Sequence, residues 1–190
     1  MCGKKSNRQG FSLIEILVVI TIGALFVAVV IPNVSRFGSY YVREKFIAQC
    51  NALMLFAWQQ ALLTRSVCKV DWNLKARKVS LLLQKEGERD KSGHPLFVAM
   101  QTAYTKTTIS IPEQIEIKQF FIEGFDEMTR SASKETAEMW YFIVPDGLAQ
   151  AVTINFVDTK NVFENKPRQM SMVLNPFSAQ FAVFDAFQKG

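Results

Sequence analysis

The sequence predicts an α+β fold: a long N-terminal helix, membrane-spanning in its first half, packed on a mostly antiparallel β-sheet domain. Three observations predict it. Phe11 to Ile31 is an apolar run as long as a bilayer-spanning helix, which needs about 20 residues. Apolar residues then recur at helical spacing to about Leu63. From Ser66 the period changes to two, and short strand-like runs follow as far as Phe184.

Bulk properties set the frame. At 190 residues the chain suits one domain of ordinary size with an appendage. A hydrophobic content of 49% and a mean hydropathy of +0.09 exclude disorder and agree with a membrane segment plus a sizeable core. The net charge is +5 and the pI about 9.2. Lys4, Lys5 and Arg8 crowd into the first ten residues, and without them the charge falls to +2. No nucleic-acid partner is expected from so mild a balance. Lys75, Arg77 and Lys78 sit in a predicted hairpin turn and read as a solvated turn, with a polyanion patch as the alternative.

The N-terminal segment is the most informative part. Residues Met1–Gly10 are polar and basic, and the apolar run follows directly. By the positive-inside rule the N-terminus stays in the cytoplasm and the remaining chain lies across the membrane, as a single-pass protein. An ordinary signal peptide fits poorly, because the run is too long and ends Val-Val-Ile-Pro-Asn with no small-residue cleavage site. Glu15 is the anomaly. A carboxylate in a membrane helix costs about 2.5–3.5 kcal/mol near the bilayer centre and less near an interface. It either snorkels to the cytoplasmic surface or meets a positive partner. If the chain is cut after Gly10, Phe11 gains a free ammonium four residues before Glu15. Between neighbouring helices offset along a filament, the amine of one copy can meet Glu15 of the next. In low dielectric that pair would fix axial register.

The run Arg8-Gln9-Gly10-Phe11-Ser12-Leu13-Ile14-Glu15 resembles the N-terminal signal of type IV pilins and type II secretion pseudopilins. What the resemblance implies is cleavage between Gly10 and Phe11 by a prepilin peptidase, N-methylation of Phe11, and an assembly role for Glu15. It implies the pilin fold as well, with other major and minor pseudopilins and an inner-membrane assembly platform as partners. Pro32 removes the hydrogen bond to the carbonyl of Ala28 and marks either the membrane exit or a helix hinge, to which Gly23 would add pliability. The expected organisation is a cleaved leader (1–10), a membrane and assembly helix (11–31), an amphipathic continuation (32–64) and a periplasmic β-rich domain (65–190).

Along the second half of the helix, Tyr40, Ile47, Cys50, Met54, Ala57, Trp58 and Ala61 form the apolar stripe, with Arg43, Glu44 and Lys45 among the polar positions. Val67–Trp72 and Val79–Leu83 read as a hairpin. Lys85–Pro95 reads as a loop, and Leu96–Tyr104 as strand or short helix. Thr107–Ile111 and Gln114–Ile122 read as strands, and Thr129–Glu138 as a polar loop. Met139–Val144 and Ala151–Val157 around Pro-Asp-Gly read as a hairpin, as do Gln169–Leu174 and Phe181–Phe184. The Pro-Asp-Gly unit and the closing hairpin are similar to H-type minor pseudopilins and related pilus-tip subunits.

Cys50 and Cys68 would remain in the exported product, either as a disulfide or as two buried thiols. Cys2 follows only a methionine and lacks the apolar stretch a lipoprotein cysteine needs. His94 sits beside a proline in a charged loop without a Gly-x-Ser-x-Gly partner, and Asp126, Glu127 and Asp158 lack calcium-ligand spacing. No catalytic constellation, metal or cofactor is implied. The functional expectations are a minor pseudopilin of type II secretion, a minor pilin of a type IV pilus, or an unprocessed membrane protein with a binding ectodomain.

Overall fold

The computed structural model describes residues 12–90, 92–100, 106–131, 138–163 and 166–190. The chain divides into two compact units, Met1–Gly38 and Ser39–Gly190. The long helix α1 (Leu13–Thr64) begins in the first and ends in the second. Among the described residues ten strands and a short helix follow: β1 (Cys68–Asn73), β2 (Lys78–Arg89), β3 (Pro95–Ala99), β4 (Thr108–Ser110), β5 (Ile115–Ile122), β6 (Phe125–Asp126), α2 (Glu127–Ser131), β7 (Glu138–Ile143), β8 (Val152–Phe163), β9 (Lys166–Asn175) and β10 (Gln180–Phe184). They form two sheets, one ordered β3-β2-β1-β7 with β4 also on β2, the other β10-β9-β8-β5-β6. Every described pairing is antiparallel.

The core of the second unit lies between the helix and both sheets. Phe46, Ile47, Cys50, Leu53, Met54, Ala57 and Ala61 are buried along the helix. They share one core with Val70, Trp72, Leu81 and Tyr141 of the first sheet and Phe120, Ile154, Phe156 and Met172 of the second. Trp72 joins the layers. Its ring makes edge contacts with Phe46 at 6.4 Å and with Phe120 at 5.6 Å, the geometry aromatic quadrupoles favour. Tyr40, assigned to the stripe from spacing, is exposed, and Trp58 is half-buried with its indole N–H donating to the carbonyl of Gly147 at 2.7 Å.

Two readings from sequence are corrected. The Pro-Asp-Gly turn does not pair Met139–Val144 with Ala151–Val157; the antiparallel bridging across it ends at Ile143 and Ala149. β7 pairs with β1, Cys68 opposite Ile143, whereas β8 lies between β5 and β9 in the other sheet. The turn is real, with the Gly147 N–H bonded to the carbonyl of Val144 at 2.9 Å, but it carries the chain from one sheet to the other. Turn chemistry fixes the reversal and not the partner of the strand that follows. Gly147 has φ +79°, and a Cβ there would stand 3.1 Å from the Trp58 nitrogen, so glycine is needed both for backbone and for space. Lys85–Arg89 is likewise strand, not loop. β2 continues through it to pair Arg89 with Pro95, with a register shift between Gln84 and Arg89 where Gly87 takes φ +73°. Charged side chains on an overhanging hairpin remain solvated, so charge alone does not end a strand. Leu96–Tyr104 resolves as strand in Pro95–Ala99, and of the Thr129–Glu138 loop Thr129–Ser131 are helical; residues 101–105 and 132–137 lie outside those described.

A third correction concerns Arg43, read as a polar-face residue but 2% exposed. Its Nη1 is 3.7 Å from Oδ2 of the fully buried Asp158 in β8, its Nη2 is 3.2 Å from Glu44, and the guanidinium lies 4.8 Å from the Tyr40 ring. Gln114 Nε2 also approaches Asp158 Oδ2 at 3.5 Å. The pair ties α1 to the second sheet. Arg77, expected to be solvated, is instead a clamp: its guanidinium donates to the carbonyls of Ile111 (3.3 Å), Pro112 and Ile115 (3.0 Å), holding the β1–β2 turn to the segment that enters β5.

Breaking one side of a buried ion pair strands the other charge, at a cost of about 3–5 kcal/mol. Arg43→Met should therefore lower the denaturation midpoint strongly, and adding Asp158→Leu to it should recover much of the loss. Additive losses in the double variant, measured by urea unfolding, would contradict the coupling.

Candidate functional site

Of the residues singled out at the N-terminus, Gly10 and Phe11 lie outside the described residues. Glu15 lies in the first turn of α1. The backbone bonds mark where the helix starts. The Ser12 carbonyl accepts from the N–H of Glu15 at 3.0 Å and of Ile16 at 3.3 Å, which makes Ser12 the cap residue and Glu15 the third helical position. Ser-x-x-Glu is the sequence form of a capping box, a signal available from the residues alone and not used above. A carboxylate in the first turn also complements the helix dipole. Glu15 thus has a local reason for its place in addition to any role between copies.

The helix around it is apolar on all sides. Leu13, Ile14, Ile16, Leu17, Val18, Val19, Ile20, Ile22, Leu25, Phe26 and Val27 are all exposed, from 47% at Val18 to 82% at Leu13. The Thr21 hydroxyl is turned back onto the helix, donating to the Leu17 carbonyl at 2.7 Å. A helix apolar on every face belongs in a protein core or in a membrane. At 1.5 Å per residue, the helical residues 13–31 span about 28 Å, close to the thickness of a bilayer's hydrocarbon. Tyr40–Thr64 also has the length and hydropathy of a span, a mean of 1.2, but its stripe is the core of the second unit. Burial decides between the two in favour of the first stretch. Gly23 and Pro32 both lie within the helical residues, and a Cβ at Gly23 would meet nothing within 4 Å.

Cys50 and Cys68 are buried free thiols, one on α1 and one on β1. Burial pushes the Cys68 thiol up to about 11 and the Cys50 thiol far above its ordinary value. His94 is exposed at the β2–β3 turn, where its N–H and that of Ser92 donate to Asp90 Oδ1. Asp126 caps α2, accepting from the N–H of Met128 and the hydroxyl of Thr129. Among the described residues no group of three or more His, Cys, Asp or Glu side chains could hold a metal ion.

With this geometry in place, comparison with known proteins gives one direct result. Residues 5–31 match the family model of the prokaryotic N-terminal methylation motif. The match covers Gly10, Phe11 and Glu15, so the N-terminal segment is of prepilin type. No curated protein matches the chain. Two solved structures of the minor pseudopilin EpsH from the type 2 secretion system of Vibrio cholerae align with it. One has 11% identity and a TM-score of 0.48 over 77% of this chain and 96% of that one; the other has 10% and 0.45 over 81% and 97%. Likeness at that level is too slight to carry function from one chain to the other.

The buried thiols give a prediction with a definite sign. A thiol whose folded pKa is raised holds its proton more tightly in the folded state. Its contribution to stability is complete below the unfolded value of 9.0 and is lost as pH rises through about 11. At pH 8 an aqueous thiol reagent should label Cys50 and Cys68 at least about a hundredfold more slowly in the folded chain than in denaturant. Rapid labelling of either, located by peptide mass, would contradict their placement.

Proposed function

We propose that this chain is a minor pseudopilin of a type II secretion pseudopilus, a structural subunit and not an enzyme. It would be made with a ten-residue leader, cleaved between Gly10 and Phe11 by a prepilin peptidase and N-methylated on Phe11. The observation that carries this reading is an all-round apolar helix with one carboxylate, Glu15, in its first turn, lying within a prepilin-type methylation motif. In the membrane, lipid would cover Leu13–Ala28. In a filament, the same stretch of neighbouring copies would, with major and minor pseudopilins contributing helices to a shared core fed by an inner-membrane assembly platform. Gly23 and Pro32 would let the helix adjust as it passes from one setting to the other. Residues 65–190 would stand in the periplasm, and the filament would help move folded proteins across the outer membrane.

The closing β9–β10 hairpin supports secretion over the second reading, a minor pilin of a type IV pilus, which shares every N-terminal feature. Deleting the gene should leave secreted proteins in the periplasm. Loss of twitching or transformation with normal secretion would favour the pilus, and no defect in either would overturn both.

Glu15 supplies a sharper test. A charge pair in low dielectric is worth several kcal/mol when its partner is retained, so Glu15→Gln, equal in size but uncharged, should reduce incorporation into the filament at least about tenfold. Membrane insertion should be unaffected or improved. Co-assembly measured by cross-linking to the major subunit decides it, and wild-type incorporation of Glu15→Gln would end the assembly role.

A further inference from the structure

The sheet ordered β10-β9-β8-β5-β6 carries two polar side chains in the middle of its outer face. Asn155 of β8 and Ser171 of β9 stand directly opposite each other in register, and both are fully buried. Polar side chains in that position need partners, and these find them in the chain that follows β10. Beyond Phe184 that chain turns and steps back across the strands. Asp185 pairs with Arg168 of β9 at 2.8 Å. The Ser171 hydroxyl donates to the carbonyl of Ala186 at 2.9 Å. Asn155 Nδ2 donates to the carbonyl of Gln188 at 2.8 Å, and the Gln188 N–H donates back to Asn155 Oδ1 at 3.1 Å. Gly190 lies so close to Phe121 of β5 that a Cβ would stand 2.4 Å from its side chain. Residues 186, 188 and 190 therefore mark successive strands, β9, β8 and β5.

The bonds that Asn155 and Ser171 make to this segment all go to main-chain atoms. Asn155 pairs with Gln188 as one peptide unit pairs with another in a β-ladder, and its second amide hydrogen is held by Gln119 Oε1 at 2.7 Å, so both amide hydrogens are used. The molecule uses the same device once more, where Asn51 of α1 pairs with both main-chain atoms of Phe181, at 2.7 and 3.4 Å. There the occupant is a strand of the sheet. Here it is a segment held from one side only, with Asp185, Ala186, Lys189 and Gly190 exposed. Its departure would open Asn155 and Ser171 to water, which can satisfy both, so release strands no polar group.

We propose that Asn155 and Ser171 form a recognition site for an extended peptide main chain, and that Asp185–Gly190 is its resident occupant, exchangeable with the same segment supplied in trans by a second copy. Recognition depends on the main-chain N–H at position 188 and on a glycine-sized residue at 190, and little on the other side chains. The test uses the full chain in detergent, a shortened chain ending at Phe184, and a fluorescent peptide of residues 183–190. The peptide should bind the shortened chain saturably and the full chain at least tenfold more weakly. Gln188→Ala in the peptide should change binding less than threefold, whereas Gln188→Pro, which removes the donor, should weaken it at least tenfold. Absence of binding to a natively folded shortened chain, or equal binding of the proline peptide, would overturn the proposal. Should the shortened chain fail to fold, chymotryptic cleavage after Phe187 of the full chain decides: at least tenfold faster in Asn155→Ala and unchanged in Gln188→Ala. Wild-type cleavage of Asn155→Ala would overturn it.

Discussion

Water cannot be the resting environment of the first half of α1. Eleven large apolar side chains between Leu13 and Val27 are exposed. Covering each contributes about 1.5–3 kcal/mol, so leaving the set in water forgoes on the order of 15–30 kcal/mol. That exceeds the whole net stability of an ordinary domain, about 5–15 kcal/mol. Lipid or other apolar helices must supply the cover, and this requirement shapes everything else in the chain. It explains why one carboxylate in the stretch is conspicuous, and why that carboxylate sits in the first turn, where the helix dipole lowers its cost.

The second unit solves the opposite problem. Its stretch of α1 is apolar along one face, and that stripe from Phe46 to Ala61 is consumed by the two sheets. The polar connections settle how the helix and sheets meet. Arg43 reaches Asp158, Asn51 pairs with the main chain of the edge strand β10, and the Trp58 indole holds the crossing turn at Gly147. These three contacts distribute along the helix and reach both the second sheet and the connection that enters it. Apolar packing alone would tolerate a shift along the helix; the hydrogen bonds of Asn51 and Trp58, about two turns apart, together with the Arg43–Asp158 ion pair, do not.

Much of this was legible in the residues, for identifiable reasons. The apolar run, the helix end near Leu63 and the β1–β2 and β9–β10 hairpins follow from periodicity and turn chemistry, both local signals. The sheet membership of β7 and β8 was not legible, because the choice between pairing across Pro-Asp-Gly and crossing to another sheet rests on contacts seventy residues away, with Cys68–Asn73. Arg43 was misread by residue type. Its position four before Ile47 and seven before Cys50 continues the buried stripe, so spacing pointed inward while charge pointed outward. Asn155 and Ser171 gave no signal, since their partners are main-chain atoms of a segment without a periodic pattern. At the N-terminus the Gly-Phe and Glu15 pattern was read directly, while the capping role of Ser12 was legible and overlooked.

The account turns on a free amine appearing at Phe11 within reach of a membrane carboxylate. Intact-mass measurement of the chain extracted from its native membrane tests that most directly. The account predicts a species that begins at Phe11 and is heavier by one methyl group than the bare cleavage product. A mass corresponding to a chain still beginning at Met1 would contradict it.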